Sequence, residues 1–239
     1  MSRMAASARR SAGRRGAAVP EPAEPDLPAE LTVAGLAEAD LYDGAAHYDL
    51  DVTDLDLSDR EAANLEIDQS RYTAVKFGGV RLGRGMIKDA VFDRCDLANL
   101  RARETSLFRA RLTGCRMTGL SYLAGVVRDV TFSGSRIDLA SFSNTKFSVV
   151  VFTECRLDQA NFGDADLSGV RFINCDLTGA QFSGATLTGT RFTGCDLTGI
   201  SGITSMRGAI ITSTDAFTLA RIFADALGIS IEDDSGTPG

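Results

Sequence analysis

Tryptophan is absent from this 239-residue chain, histidine occurs once, at His47, and proline five times. A Ser-His-Asp or Cys-His machinery would therefore have to be built around His47, and no nucleophile motif lies near it. No apolar run approaches the roughly 18 residues of a membrane-spanning helix. The N-terminus carries arginines but lacks the apolar stretch of about 7–15 residues that makes a secretory signal, so neither Arg9-Arg10 nor Arg14-Arg15 is an export signal. The five cysteines are an odd number, which without such a signal argues for a reducing cytoplasm rather than a disulfide framework.

What is present is 44% hydrophobic residues and 24 glycines, enough for a substantial core and many tight turns. The net charge of −7 hides a polarised distribution. Residues 1–20 hold five Arg and no acid, residues 49–68 hold eight acids against Arg60, and residues 69–200 hold 17 Lys and Arg against 12 acids. The overall sign disfavours general nucleic-acid affinity. Residues 1–28, rich in Ala, Arg and Pro without apolar periodicity, are expected to be a disordered tail, followed by a lead-in or cap over 29–49.

From Leu50 a period of five appears, firm from Ile67 to Leu197 without an insertion. One large residue recurs every fifth position, and a small or apolar one, such as Val75, Ala90 or Cys95, sits two before it. Five matches neither the 3.6 of a helix nor the 2.0 of a long strand, but it suits a short extended piece followed by a corner, with both residues pointing inward. Sorting by twenty separates the large residues by type. Tyr72, Phe92, Leu112, Phe132, Phe152, Phe172 and Phe192 form one column, and Phe77, Leu97, Met117, Ile137, Leu157, Leu177 and Leu197 another. Four pentads per circuit predict a square-sectioned all-β solenoid over 50–200. Its regular part, 65–200, amounts to about 6.8 turns, or a shaft of ~32 Å at ~4.8 Å per rung.

The units ANFGD, ADLSG, VRFIN, CDLTG, AQFSG and ATLTG resemble the pentapeptide-repeat family, whose pattern is A(D/N)LxX, over about 27 consecutive pentads. The resemblance implies a right-handed quadrilateral parallel β-helix, and the tail after the last coil resembles that of actinobacterial-type members. Residues 201–231 are expected to hold a C-terminal helix and a short strand at Ile229 and Ile231, with 232–239 disordered. Thr214 or Ser213 suits the helix cap and Gly228 the left-handed stop. Its apolar face, Ala216, Ala220, Phe223, Ala224 and Leu227, is expected either to cover the last coil or to form a dimer contact, leaving a monomer or a C-terminally joined homodimer.

Cys95, Cys115, Cys155, Cys175 and Cys195 fall in one inward column, with Ser135 on the missing rung. A straight apolar column cannot offer four converging zinc ligands or lower a thiol pKa, so these residues are expected to be packing spacers, with no metal and no cofactor. Asp96, Asp176 and Asp196 are expected outside or at corner hydrogen bonds, since a convex shaft offers no cleft for paired-carboxylate catalysis. Gly78, Gly79, Gly83 and Gly85 are placed at corners. No catalytic residue is assigned.

Outside, Arg116, Arg136 and Arg156 stack in one column. Like charges at this spacing repel, so the stripe either is neutralised by Asp138 and Asp158 or awaits an anionic partner. A non-catalytic protein-interaction scaffold is the favoured role, its partner another protein. Family members that imitate the width and charge of B-form DNA bind DNA gyrase and give quinolone resistance. By that resemblance the acidic patch Asp49, Asp51, Asp54, Asp56, Asp59, Glu61, Glu66 and Asp68 would be the mimic, although the net-basic coils after it speak against mimicry. Nucleic-acid binding through the Arg stripe and basic tail is the remaining alternative, and a membrane is not a partner.

Overall fold

Every fifth residue turns a corner. The computed structural model describes residues 20–212, 219–224 and 228–230, and its architecture is a right-handed parallel β-solenoid of about 9 turns. At each fifth position from Gly44 to Gly199 the backbone is left-handed, with φ between 45° and 76°. Most of these residues are not glycine, and an L-residue there costs roughly 1–2 kcal/mol. The cost is offset by a ladder bond to the next coil: the amides of Asn64, Arg84 and Asn174 donate to the carbonyls of Gly83, Arg103 and Thr193 at 2.7, 2.9 and 2.8 Å. Of the four glycines expected at corners, only Gly79 is left-handed.

Strands stack in register at a spacing of twenty, as in Tyr72↔Phe92 and Phe132↔Phe152. The longest are the eight-residue strands Glu66–Thr73, Met86–Asp93, Ser106–Thr113, Val126–Ser133 and Lys146–Thr153. Inside, like residues stack on like. Phe132, Phe152, Phe172 and Phe192 lie with rings 4.6, 5.0 and 5.1 Å apart and nearly parallel. Phe142, Phe162 and Phe182 form a second stack at 5.5 and 5.4 Å that meets the first edge-on. In the N-terminal coils the second column reads Ala62, Leu82, Ala102 and Tyr122, and an apolar cavity of about 60 Å³ opens among Leu82, Phe92, Ala102 and Leu112.

The ladder extends beyond the expected 50–200 at both ends. Thr32–Ala34 pairs with Leu50–Thr53 at a spacing of eighteen, and Ile210–Ile211 pairs with Arg191–Thr193 at nineteen. Between the first two strands the short helix Leu36–Ala39 buries Ala39. His47, in the expected lead-in or cap 29–49, is already part of the ladder. It pairs with Ile67 and occupies an inward position, 1% exposed.

Residues 1–19 lie outside the described residues. Residues 20–28, expected as part of a disordered tail, instead run along the outside of the shaft, because their carboxylates and amides find partners there.

Candidate interaction surface

The coil spanning residues 51–68 is acidic and the coil stacked on it is basic. Asp51 meets Arg71 at 3.3 Å, Asp56 meets Lys76 at 3.3 Å, Glu61 meets Arg81 at 2.9 Å and Asp68 meets Lys88 at 3.1 Å. Each pair is twenty residues apart, the same interval that aligns the phenylalanines, so this pairing was readable from the spacing and was missed. Glu66 instead accepts from the Tyr48 hydroxyl at 2.5 Å. Asp49, Asp54 and Asp59 stand at left-handed corners. Hydrogen bonds from Ser58 lower the Asp56 carboxyl to about 2, with Lys76 adding to the effect. Half of the acids proposed for mimicry therefore carry their own counter-ion.

The Arg stripe is likewise matched. Arg116 meets Asp96 at 2.7 Å, Arg136 meets Asp138 at 3.2 Å and Arg156 meets Asp158 at 3.8 Å. Asp96, Asp176 and Asp196 accept the amides of Ala98, Thr178 and Thr198 at 2.9–3.0 Å, which closes the corner after each.

The feature that sequence reasoning missed is the segment 20–28. Gln69 Nε2 donates to the Asp26 carbonyl at 2.9 Å, and the Asp26 amide donates to Asp89 Oδ1 at 3.0 Å. The Ala23 amide reaches Asp129 Oδ1 at 3.5 Å, Arg111 donates to Glu24 at 3.1 Å, and Arg171 binds both oxygens of Glu21. Asp89, 1% exposed, is gripped by Arg109 through Nε at 2.6 Å and Nη2 at 2.5 Å. Burial pushes its carboxyl up, but Arg109, the Asp26 amide and Lys88 together hold it below the ordinary value. The available signal was the triplet spacing of Pro22, Pro25 and Pro28 beside Glu21 and Glu24.

Inward chemistry is spent on structure. Each cysteine thiol donates to two carbonyls, two and twenty-three residues back, as Cys155 does to Thr153 and Phe132 at 3.4 and 3.5 Å. Thr145 and Thr190, at the equivalent position of other columns, bond the same way to Tyr122 and Leu167. The spacer residue is thus also a donor. Contact with the Cys155 thiol, together with burial, pushes Cys175 up to about 12. His47 accepts from the Tyr72 hydroxyl at Nδ1 (2.8 Å) and donates from Nε2 to the Asp40 carbonyl (3.2 Å), and burial lowers its pKa, so the ring is neutral. Among the described residues no three His, Cys, Asp or Glu side chains converge as a metal site would require, and no helix is long and apolar enough to cross a membrane.

The sequence model of the pentapeptide repeat region matches residues 105–174 and 138–201, inside the coils just described. Residues 105–201 are thus a pentapeptide-repeat region. No curated protein matches this chain. Among solved structures it is similar to trypsin-treated QnrB1, a plasmid-mediated fluoroquinolone resistance protein, at 21% identity over 78% of this chain and all of that one, with a TM-score of 0.37. It is also similar to HetL of the cyanobacterium Nostoc sp. strain PCC 7120, involved in heterocyst differentiation regulation, at 18% identity over 73% and 90% of the two chains, TM-score 0.32. A thylakoid-lumen pentapeptide-repeat protein of Arabidopsis thaliana shares 21% identity over 48% of this chain and 66% of that one, TM-score 0.26. No role transfers from likenesses at this level.

At the C-terminal end Met206 and Leu219 join the hydrophobic core, Leu219 completely buried, with Ile203, Ile211, Ile222 and Phe223 packed partly against it; Ala224 is buried as well. Residues 219–224 are helical, Gly228 is left-handed at φ 69°, and the Ile229 amide closes on the Ala224 carbonyl at 2.8 Å, the long bond of a Schellman stop. Ala220, expected on the apolar face, is exposed; Leu219 takes that place. Ala216, Leu227, Ser213, Thr214 and Ile231 lie outside the described residues.

Proposed function

We infer that this chain is a non-catalytic protein-interaction scaffold. The observation that carries this reading is the division of labour in the shaft: thiols, hydroxyls and the histidine are consumed by buried structural hydrogen bonds, while the outside offers one column charged on every rung, Asp56, Lys76, Asp96, Arg116, Arg136, Arg156, Asp176 and Asp196, over about 34 Å at ~4.8 Å per rung. A surface of ordered, largely paired charge favours specificity over non-specific adhesion. Five unpaired thiols suit a reducing cytoplasm. The burial of Leu219 supports a C-terminal lid and a monomer rather than a dimer contact.

The test is crosslinking in lysate through the chain's three lysines, Lys76, Lys88 and Lys146. Discrete protein adducts at these positions support the reading, and recovery of the free chain alone would refute it. The alternative of a DNA-mimic modulator of DNA gyrase has less support, because a mimic needs unpaired phosphate-like charge and Asp51, Asp56, Glu61 and Asp68 are paired. Supercoiling by purified gyrase should proceed unchanged in a titration with this chain. Nucleic-acid binding through the Arg stripe is disfavoured on the same ground.

A further inference from the structure

We propose that the corner of the shaft under residues 20–28 is a docking groove for an acidic, proline-containing extended segment of a partner protein, and that residues 20–28 are its built-in competitor. The proposal rests on the scaffold reading and names the partner's chemistry. Polyproline II has three residues per turn and rises ~3.1 Å per residue. That period places Pro22, Pro25 and Pro28 on one face, and all three are half-buried. Glu21 and Glu24 share a second face and reach Arg171 and Arg111. Ala23 and Asp26 share the third, and their amides reach Asp129 and Asp89. Three residues of such a helix span ~9.3 Å, close to two rungs of ~4.8 Å, and Asp89 and Asp129 are two rungs apart. The match of the two repeats keeps the amides in step with the shaft; the partners of the carboxylates, Arg111 and Arg171, lie three rungs apart and reach them through their long side chains.

The groove is built and the occupant is held by individually weak contacts. Asp89 is fixed in place by Arg109 and offers an oxygen to a peptide amide, and the Arg171 side chain is only 16% exposed. Glu21 and Glu24 are 74% and 72% exposed, so each ion pair is weak alone and the segment is held by several such contacts acting together. Prolines at every third position remove the donors a β-ladder would need. Arg191, one rung beyond Arg171 in the same column, has no acidic partner among the described residues. A partner segment with a further carboxylate would therefore bind the same groove better than residues 20–28 do. The tether gives the internal segment a high effective concentration, so a free peptide competes poorly until the strap is disabled.

The probe is the labelled peptide PEPAEPDLPAE, residues 20–30, added to the full-length chain and followed by fluorescence anisotropy. Glu21→Lys with Glu24→Lys sets the strap against Arg171 and Arg111 and frees the groove. The expected result is saturable binding to this double variant, at least tenfold weaker binding to the wild type, and loss of binding when Arg111→Ala and Arg171→Ala are added. A scrambled peptide of equal composition should bind at least fivefold more weakly. Absence of binding to a double variant that melts like the wild type, equal binding to both chains, or equal binding of the scrambled peptide would overturn the groove. Crosslinks at Lys76 and Lys146, which lie off this corner, decide the scaffold reading separately.

Discussion

The N-terminal coils, 46–125, and the C-terminal coils, 126–201, share one backbone but are held together differently. In the first half the core columns mix Ala, Leu, Tyr and Phe and enclose a cavity, while rung after rung is joined outside by ion pairs such as Asp51–Arg71 and Glu61–Arg81. In the second half the two phenylalanine stacks fill the interior, and between Asp158 and Ser201 the only ion pair among the described residues is the one Arg171 makes with Glu21 of the strap. The contrast teaches that this backbone tolerates either device. Core stacking contributes more, because burial of aromatic area is worth several kcal/mol per side chain while exposed pairs contribute ~0–1.

The largest expected effect breaks the second half. Phe152, fully buried between Phe132 and Phe172, should cost ~3–5 kcal/mol when changed to Ala, read by chemical denaturation. Cys155→Ala, three residues away, should cost only ~1 kcal/mol, since it loses a weak donor and one small side-chain atom. Equal costs would end the claim that phenylalanines carry the core and thiols space it.

A gain should come from making the first half resemble the second. Leu112 lies between Phe92 and Phe132 in one column and lines the cavity. Leu112→Phe would join two interrupted stacks and should raise stability by ~1 kcal/mol, seen as a melting temperature higher by a few degrees. A lower melting temperature would mean the cavity is too narrow for a ring.

Acid should separate the halves as well. His47 is held neutral by burial, so the unfolded chain binds its proton first. Its contribution is present above the unfolded value of about 6.5 and is lost as pH falls below that. Asp89 and Glu21, both lowered in the folded chain, keep their contribution above the unfolded carboxylate values near ~4 and lose it as pH falls through their folded values. The wild type should therefore lose stability in two steps, and His47→Gln should remove the upper one. A pH profile that His47→Gln leaves unchanged would show that burial does not shift the ring's titration between the folded and unfolded chains.

The smallest effect concerns a corner. Val149 is β-branched at φ 55°, a backbone region that disfavours it. Val149→Gly should stabilise by about 0.5 kcal/mol, strain relief being partly cancelled by the entropy of glycine. A clear loss of stability would show that the Val149 side chain packs on its neighbours enough to outweigh the strain.

Much of this protein follows from its sequence alone. A period of five sets corner and strand, a period of twenty stacks Phe132 on Phe152 and Cys155 on Cys175, and both follow because a parallel ladder brings the same position of each coil into contact. That arithmetic failed where register departed from twenty: the strands Thr32–Ala34 and Ile210–Ile211 join the ladder at eighteen and nineteen, so no pentad marks them. It also failed for Leu219, whose burial depends on where the chain turns back over the last coil. Only the tertiary structure decided that residues 20–28 lie along the shaft. Their partners, from Gln69 to Arg171, are spread over more than a hundred residues of sequence and become one corner only after the coils have stacked. Local patterns specify a repeating ladder because its contacts recur at a constant interval; the strap's contacts recur at no interval within the chain, and only the assembled surface brings them together.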